Sequence, residues 1–176
     1  INVWIIFMFV IVNMSLIFPI ANSSGRSFFF TALLISALTD IFALVFGKLL
    51  GKRFIYPSIS PNKTLEGTLL GLVIPSFVFL FLGYLFIEYE ISGSEVFSEF
   101  LVISLFIESF GYLITFFIVL ISSLASISGD LLASKSKRLM GIKDFGNLLP
   151  GHGGILDRID SHIFCIPVFF IFYSFI

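Results

Sequence analysis

The sequence has a single cysteine, Cys165, set in an apolar run. That excludes an intrachain disulfide and any multi-cysteine zinc site. Charge is also scarce. Only 12% of the 176 residues are Asp, Glu, Lys or Arg, and the formal net charge is −1. No internal repeat is visible. The stretch EYEISGSEVFSE, from Glu88 to Glu99, contains no Lys or Arg. The run Val3 to Ile20 has no basic segment before it, which favours a spanning helix. A cleaved leader stays open, because the chain starts at Ile1 rather than at Met.

What is abundant is apolar surface. Hydrophobic residues make up 58% of the chain, 25 residues are Phe, and the mean hydropathy is +1.12. A soluble domain of this length cannot bury that much. The expectation is an all-α, polytopic integral membrane protein. A bilayer core needs about 20 apolar residues per helix. About five spans are expected by that rule: Val3–Ile20, Phe28–Leu50, Leu65–Ile87, Phe100–Leu132 and Ser161–Ile176. The fourth is too long to stand upright, so it is either tilted or partly interfacial. Gly51 to Thr64 reads as a basic loop in which Pro57 and Pro61 stop helix. Ala133 to Asp160 reads as a long polar segment. Positive charge falls on these two loops and their borders: Lys48, Lys52, Arg53, Lys63, Lys135, Lys137, Arg138, Lys143 and Arg158. The opposite side has only Arg26. Both basic loops are therefore expected on the cytoplasmic face. The pairs Gly47/Gly51 and Gly67/Gly71 have the spacing of close helix packing.

The most polar stretch is KDFGNLLPGHGGILDRID, Lys143 to Asp160. Pro150, Gly151, Gly153 and Gly154 interrupt regular structure and let backbone N–H groups approach a ligand. A helix is expected to begin near Ile155, placing Asp157 and Asp160 on one face of its first turn. Such carboxylates suit a hard cation, and Arg158 between them suits a phosphate. The plainer reading is a solvated loop whose Asp residues favour a helix N-terminus.

Four other places carry ionisable groups. Asp40 lies in the middle of the second span, where an acid is costly. It either faces a polar cavity, pairs with a base such as Lys48, or stays protonated. Glu108 holds a similar position in the fourth apolar stretch. In SPNKTLEG, Ser60 to Gly67, either Ser60 or Thr64 can cap the following helix, and Glu66 suits its first turn. Lys63 at that helix start makes more sense with an anion nearby. In GDLLASKSKR, Gly129 to Arg138, the basic cluster either meets anionic lipid or joins Asp130 in a site.

The pattern Ser134, Lys137, Arg138, Lys143, Asp144, Gly146, Pro150, His152, Gly153, Gly154, Asp157, Arg158 and Asp160 resembles the signature of the phosphatidate cytidylyltransferases, or CDP-diacylglycerol synthases. Gly129-Asp130, Thr39-Asp40 with Gly47, and SPNKTLEG also fit that family. Departures are Ala133 for a usual Glu, Ser136 for an apolar residue, Asn62 for Lys, Leu65 for Trp and Leu44 for a frequent Tyr. Residues 1–176 are then expected to be a single membrane domain, the C-terminal catalytic part of a longer chain.

The resemblance implies a reaction: CTP plus phosphatidate gives CDP-diacylglycerol plus pyrophosphate. It implies that Asp130 and Asp157 bridge Mg²⁺, with a second cation beside it and Asp144 and Asp160 as further ligands. Asp130, Asp157, Lys143 and Arg158 would be catalytic. Lys137 and Arg138 would bind phosphates, and Ser60, Lys63 and Thr64 the nucleotide. His152, with Gly153 and Gly154, would either touch phosphate or brace the loop. CTP and membrane-borne phosphatidate are the expected partners, nucleic acid is not, and a homodimer is open. The expected location is the inner (plasma) membrane, multi-pass, with the site on the cytoplasmic side. Alternatives are a cytidylyltransferase for another lipid phosphate, an ion transporter using Asp40 and Glu108, or a non-catalytic binder of anionic lipids.

Overall fold

In lipid a backbone must satisfy its own polar groups, so long apolar stretches here are helical. The computed structural model describes residues 23–57, 59–88, 102–142, 144–146, 154 and 156–176. The expected first span, Val3–Ile20, and most of the acidic loop lie outside the described residues. Helix α1 runs Ser23–Leu50, strands β1 (Phe54–Tyr56) and β2 (Ser60–Thr64) follow, and α2 is Leu65–Glu88. Then come α3 (Ile103–Leu139), α4 (Leu156–Ile159) and α5 (His162–Tyr173). Among the described residues three helices, from Gly25, Leu65 and Ile103, are long and apolar enough to cross a membrane, and there is one small hairpin. The chain is an all-α polytopic membrane protein.

Two expectations need correction. The basic loop contains a two-stranded antiparallel hairpin, with Phe54 opposite Thr64 and Tyr56 opposite Ser60. Its prolines exclude helix but not an isolated ladder. The fourth stretch continues as helix to Leu139, because its basic tail Lys135–Arg138 suits a helix C-terminus. It is broken at Gly111, whose φ of 79° an L-residue rarely adopts. The last apolar stretch is helical over His162–Tyr173, as α5.

Packing has three zones. At one end, buried Phe28, Phe106 and Phe169 stack, with ring centroids 5.2 Å apart for Phe28–Phe169 and 5.0 Å for Phe106–Phe169. In the middle, hydroxyls tie α1 to α3. Ser36 and Ser126 share a hydrogen bond of 2.8 Å, and Thr39 donates to Ser123 at 2.9 Å. All four side chains are fully buried. Each such bond in a membrane contributes about 0.6 kcal/mol. Toward the other end α1 and α2 touch backbone to backbone. A Cβ on Gly67 would lie 2.6 Å from Gly47 Cα, so the small-residue spacing is a packing seam.

Candidate functional site

The second end of the bundle is charged, and its groups come from four separate segments. Asp40 sits on α1, ten residues before Leu50, so it is recessed about 15 Å below that helix end. Asp130 lies on α3, nine residues before Leu139, at a similar depth. Between α1 and α2 the hairpin folds back. Glu66 holds it by accepting N–H bonds from Lys52 (3.0 Å) and Arg53 (3.2 Å). Thr64, not Ser60, caps α2, with its Oγ1 accepting from Gly67 N–H at 3.3 Å. The cap occupies the Thr64 hydroxyl. Its neighbour Lys63 forms an ion pair with Asp130. The anion facing Lys63 is thus a carboxylate from a distant helix.

Below the hairpin, α3 meets the turn between α4 and α5. A Cβ on Gly129 would lie 2.8 Å from the Asp160 carbonyl oxygen and 2.7 Å from Phe164 Cδ2. Only glycine lets the backbones come this near, and that approach sets Asp130 beside Asp160. The Asp160 carboxylate is buried. Burial and the charge of Asp130 push its pKa up to about 7. Asp160 Oδ1 accepts from Ser161 N–H at 2.9 Å, and Asp40 Oδ2 accepts the Ser161 hydroxyl at 2.7 Å. Asp40 therefore faces this site, as the polar-cavity reading expects, and does not pair with Lys48, which is exposed.

Asp157 joins three segments. Its Oδ1 accepts from Lys137 Nζ at 2.8 Å, and its Oδ2 from Phe145 N–H and Gly154 N–H, both at 2.9 Å. Burial raises the pKa of this carboxyl, but Lys137 and the two amides outweigh it and hold it below the usual range. Lys137 Nζ is also 3.7 Å from Asp160 Oδ2 and 5.2 Å from the Phe145 ring centroid. The expected helix near Ile155 is a single turn, so Asp157 lies within α4 and Asp160 just past it. Both still meet Lys137.

Of the other expected residues, Ser60 is half-buried on β2, while Arg138, Asp144 and Arg158 are exposed. Lys143, His152 and Gly153 lie outside the described residues. Asp40, Glu66, Gly129 and Ser161 are site-building residues absent from the sequence-derived list. Asp40 carried a signal, as an acid in mid-span. Glu66 and Gly129 stood within family-like stretches and Ser161 carried no signal, and what each of the three does depends on a contact with a distant segment. Beside Asp160 is an apolar recess lined by Leu132, Ala133, Phe145, Leu156, Ile163 and Phe164.

The donor set can be tested against a hard cation. Among the described residues no three His, Cys, Asp or Glu side chains stand close enough to enclose an ion unaided. Mg²⁺ does not need that, since it commonly uses one or two carboxylates plus phosphate oxygens and water. Asp130 and the buried Asp160 disfavour one another's charge, an opposition that a cation between them relieves. The residues fit Mg²⁺.

Fold and site together define a membrane-embedded protein whose acids and bases gather at one end of its helix bundle. The chain belongs to the cytidylyltransferase family, which it matches over residues 1–176. It is similar to the phosphatidate cytidylyltransferase of Staphylococcus saprophyticus, 39% identical over 147 residues, covering 84% of this chain and 49% of that one. The Staphylococcus aureus protein of the same name is 40% identical over 147 residues, with the same coverage. That of Staphylococcus haemolyticus is 36% identical over 151 residues, covering 86% of this chain and 50% of that one. The chain spans about half the length of the curated relatives it matches.

Proposed function

We propose that this chain carries the catalytic site of a phosphatidate cytidylyltransferase, which makes CDP-diacylglycerol and pyrophosphate from CTP and phosphatidate. The observation that carries this reading is the Lys63–Asp130 pair. It joins the hairpin and the motif-bearing half of the chain in one charged recess, where family membership calls for a nucleotide. The reaction brings two anions together, so the site must neutralise and align them. An oxygen of the phosphatidate phosphate attacks the α-phosphorus of CTP. The bond between the α- and β-phosphates breaks, and pyrophosphate leaves with the electron pair. The attacking phosphate is already ionised at neutral pH, so no protein nucleophile is needed.

Lys63, with Ser60, holds the nucleotide. Arg138, Lys143 and Arg158 bind phosphate oxygens, and Lys137 can turn to them from Asp157. His152, Gly153 and Gly154 support that loop. Asp130 and Asp157 would hold Mg²⁺, with Asp160 and Asp144 as further ligands and a second cation beside it. When bound, Mg²⁺ would neutralise developing phosphate charge. The apolar recess beside Asp160 suits the hydrocarbon of a lipid substrate. The clustering of Lys and Arg around the two site loops supports a cytoplasmic face, and with it the inner membrane. A transporter reading loses its pathway, because Asp40 is engaged by Ser161 while Glu108 is exposed on the far side of the Gly111 break.

The test is direct. The full-length protein in phosphatidate-containing vesicles, given labelled CTP and Mg²⁺, is expected to release pyrophosphate and yield labelled CDP-lipid. Release of CMP or CDP without a labelled lipid would overturn the reading. Preference for another lipid phosphate would move it to a related cytidylyltransferase.

A further inference from the structure

We propose that Asp40 is a positioning residue of this site, acting through Ser161 to fix the Asp160 carboxylate beside Asp130. The inference rests on the reading that this carboxylate pair faces a cation. Ser161 occupies the N-cap position of α5, where a serine hydroxyl ordinarily accepts an N–H from its own helix. Here it makes no such cap. Its hydroxyl donates to Asp40 at 2.7 Å instead, across 121 residues of sequence. The N–H of the same serine holds Asp160 Oδ1 at 2.9 Å. One residue thus ties a carboxylate on α1 to a carboxylate at the site. Ser161 is 3% exposed, so water does not compete for either bond.

Both flanks of this link are fixed. Thr39, next to Asp40, is bound to Ser123 of α3. Gly129, next to Asp130, lies against the Asp160 carbonyl. A shift of Asp40 therefore changes the position of Asp160 relative to Asp130. A tie needed only to dock α5 on α1 could be made by neutral residues. An acid within a span is costly, which is why acids there usually serve a site.

The experiment is Mn²⁺ binding to the full chain in detergent, read by electron paramagnetic resonance without CTP or lipid. Asp40→Ala and Ser161→Ala are each expected to weaken Mn²⁺ binding about 10- to 100-fold, the usual effect of losing a partner that orients a ligand. The double variant should be no worse than either single, because both break one link. Asp40→Asn should recover most of the affinity, since its amide oxygen still accepts the serine hydroxyl, and it tests the link without a packing defect. A merely structural tie would lower thermal stability and leave Mn²⁺ affinity unchanged. That result overturns the proposal, as do additive losses, an Asp40→Asn variant as weak as Asp40→Ala, or a wild-type chain that binds no Mn²⁺. If the wild type makes no CDP-lipid but the alanine variants still lose Mn²⁺ affinity, the transfer reading fails and the Asp40 assignment stands.

Discussion

The two ends of the bundle are built from opposite chemistry. At one end Phe28, Phe106, Phe169 and Tyr173 pack ring on ring. At the other, Asp40, Lys63, Asp130, Lys137, Asp157 and Asp160 meet through ion pairs and hydrogen bonds. The aromatic end is held by dispersion contacts that are many and individually weak, and none of them places a polar group. At the charged end each carboxylate is placed by a named partner. Asp157 needs Lys137 and two amides, and Asp160 needs Ser161. The bundle's stability and its proposed chemistry are therefore located at different ends, and substitutions should separate them.

The largest expected effect is at the aromatic end. Phe169→Ala should lower stability by about 3–5 kcal/mol, as for other large-to-small core changes. The KM for CTP of the fraction that stays folded should not move. Thermal unfolding in detergent and steady-state kinetics check both halves, and a changed KM would break the division between the ends. At the charged end, Asp130→Asn should reduce kcat by at least about 10²-fold, the scale of one lost transition-state contact, with normal membrane insertion. CDP-lipid formation at saturating CTP measures it. Lys63→Ala should raise the KM for CTP by roughly tenfold or more, since a hydrogen bond to a charged group contributes about 1.5–3 kcal/mol. Unchanged CTP kinetics would leave Lys63 as a partner for Asp130 only. The smallest effect belongs to the zone between. Ser36→Ala should cost about 0.6 kcal/mol of stability, the average for such a bond between membrane helices, and leave kinetics alone.

Much of this division is legible in the sequence. Long apolar runs dictate spanning helices, and the distribution of Lys and Arg assigns the two polar loops to one side; in the structure Lys63 of the first meets Asp130, three residues before the second. Asp130, Asp157 and Asp160 fall at one end as read. Local pattern failed where a contact with a distant segment decided the outcome. Nothing near Ser161 says that its hydroxyl will leave its own helix for Asp40. Nothing near Gly129 says that a second backbone passes within a Cβ's reach. The hairpin was hidden because Pro57 and Pro61 argue against helix without arguing for strand.

The central claim is that the hairpin lysine and the α3 carboxylate share one nucleotide site. It is tested most directly by cross-linking in native membranes. The full chain carrying Lys63→Cys and Asp130→Cys is treated with a short bifunctional thiol reagent, beside a control carrying Lys63→Cys and Glu108→Cys. The account predicts rapid intrachain cross-linking of the first pair and none of the control, and it predicts that a Lys63→Cys variant, which keeps Asp130, is alkylated more slowly at saturating CTP with Mg²⁺. Equal cross-linking rates for both pairs, or alkylation unaffected by saturating CTP with Mg²⁺, would contradict it.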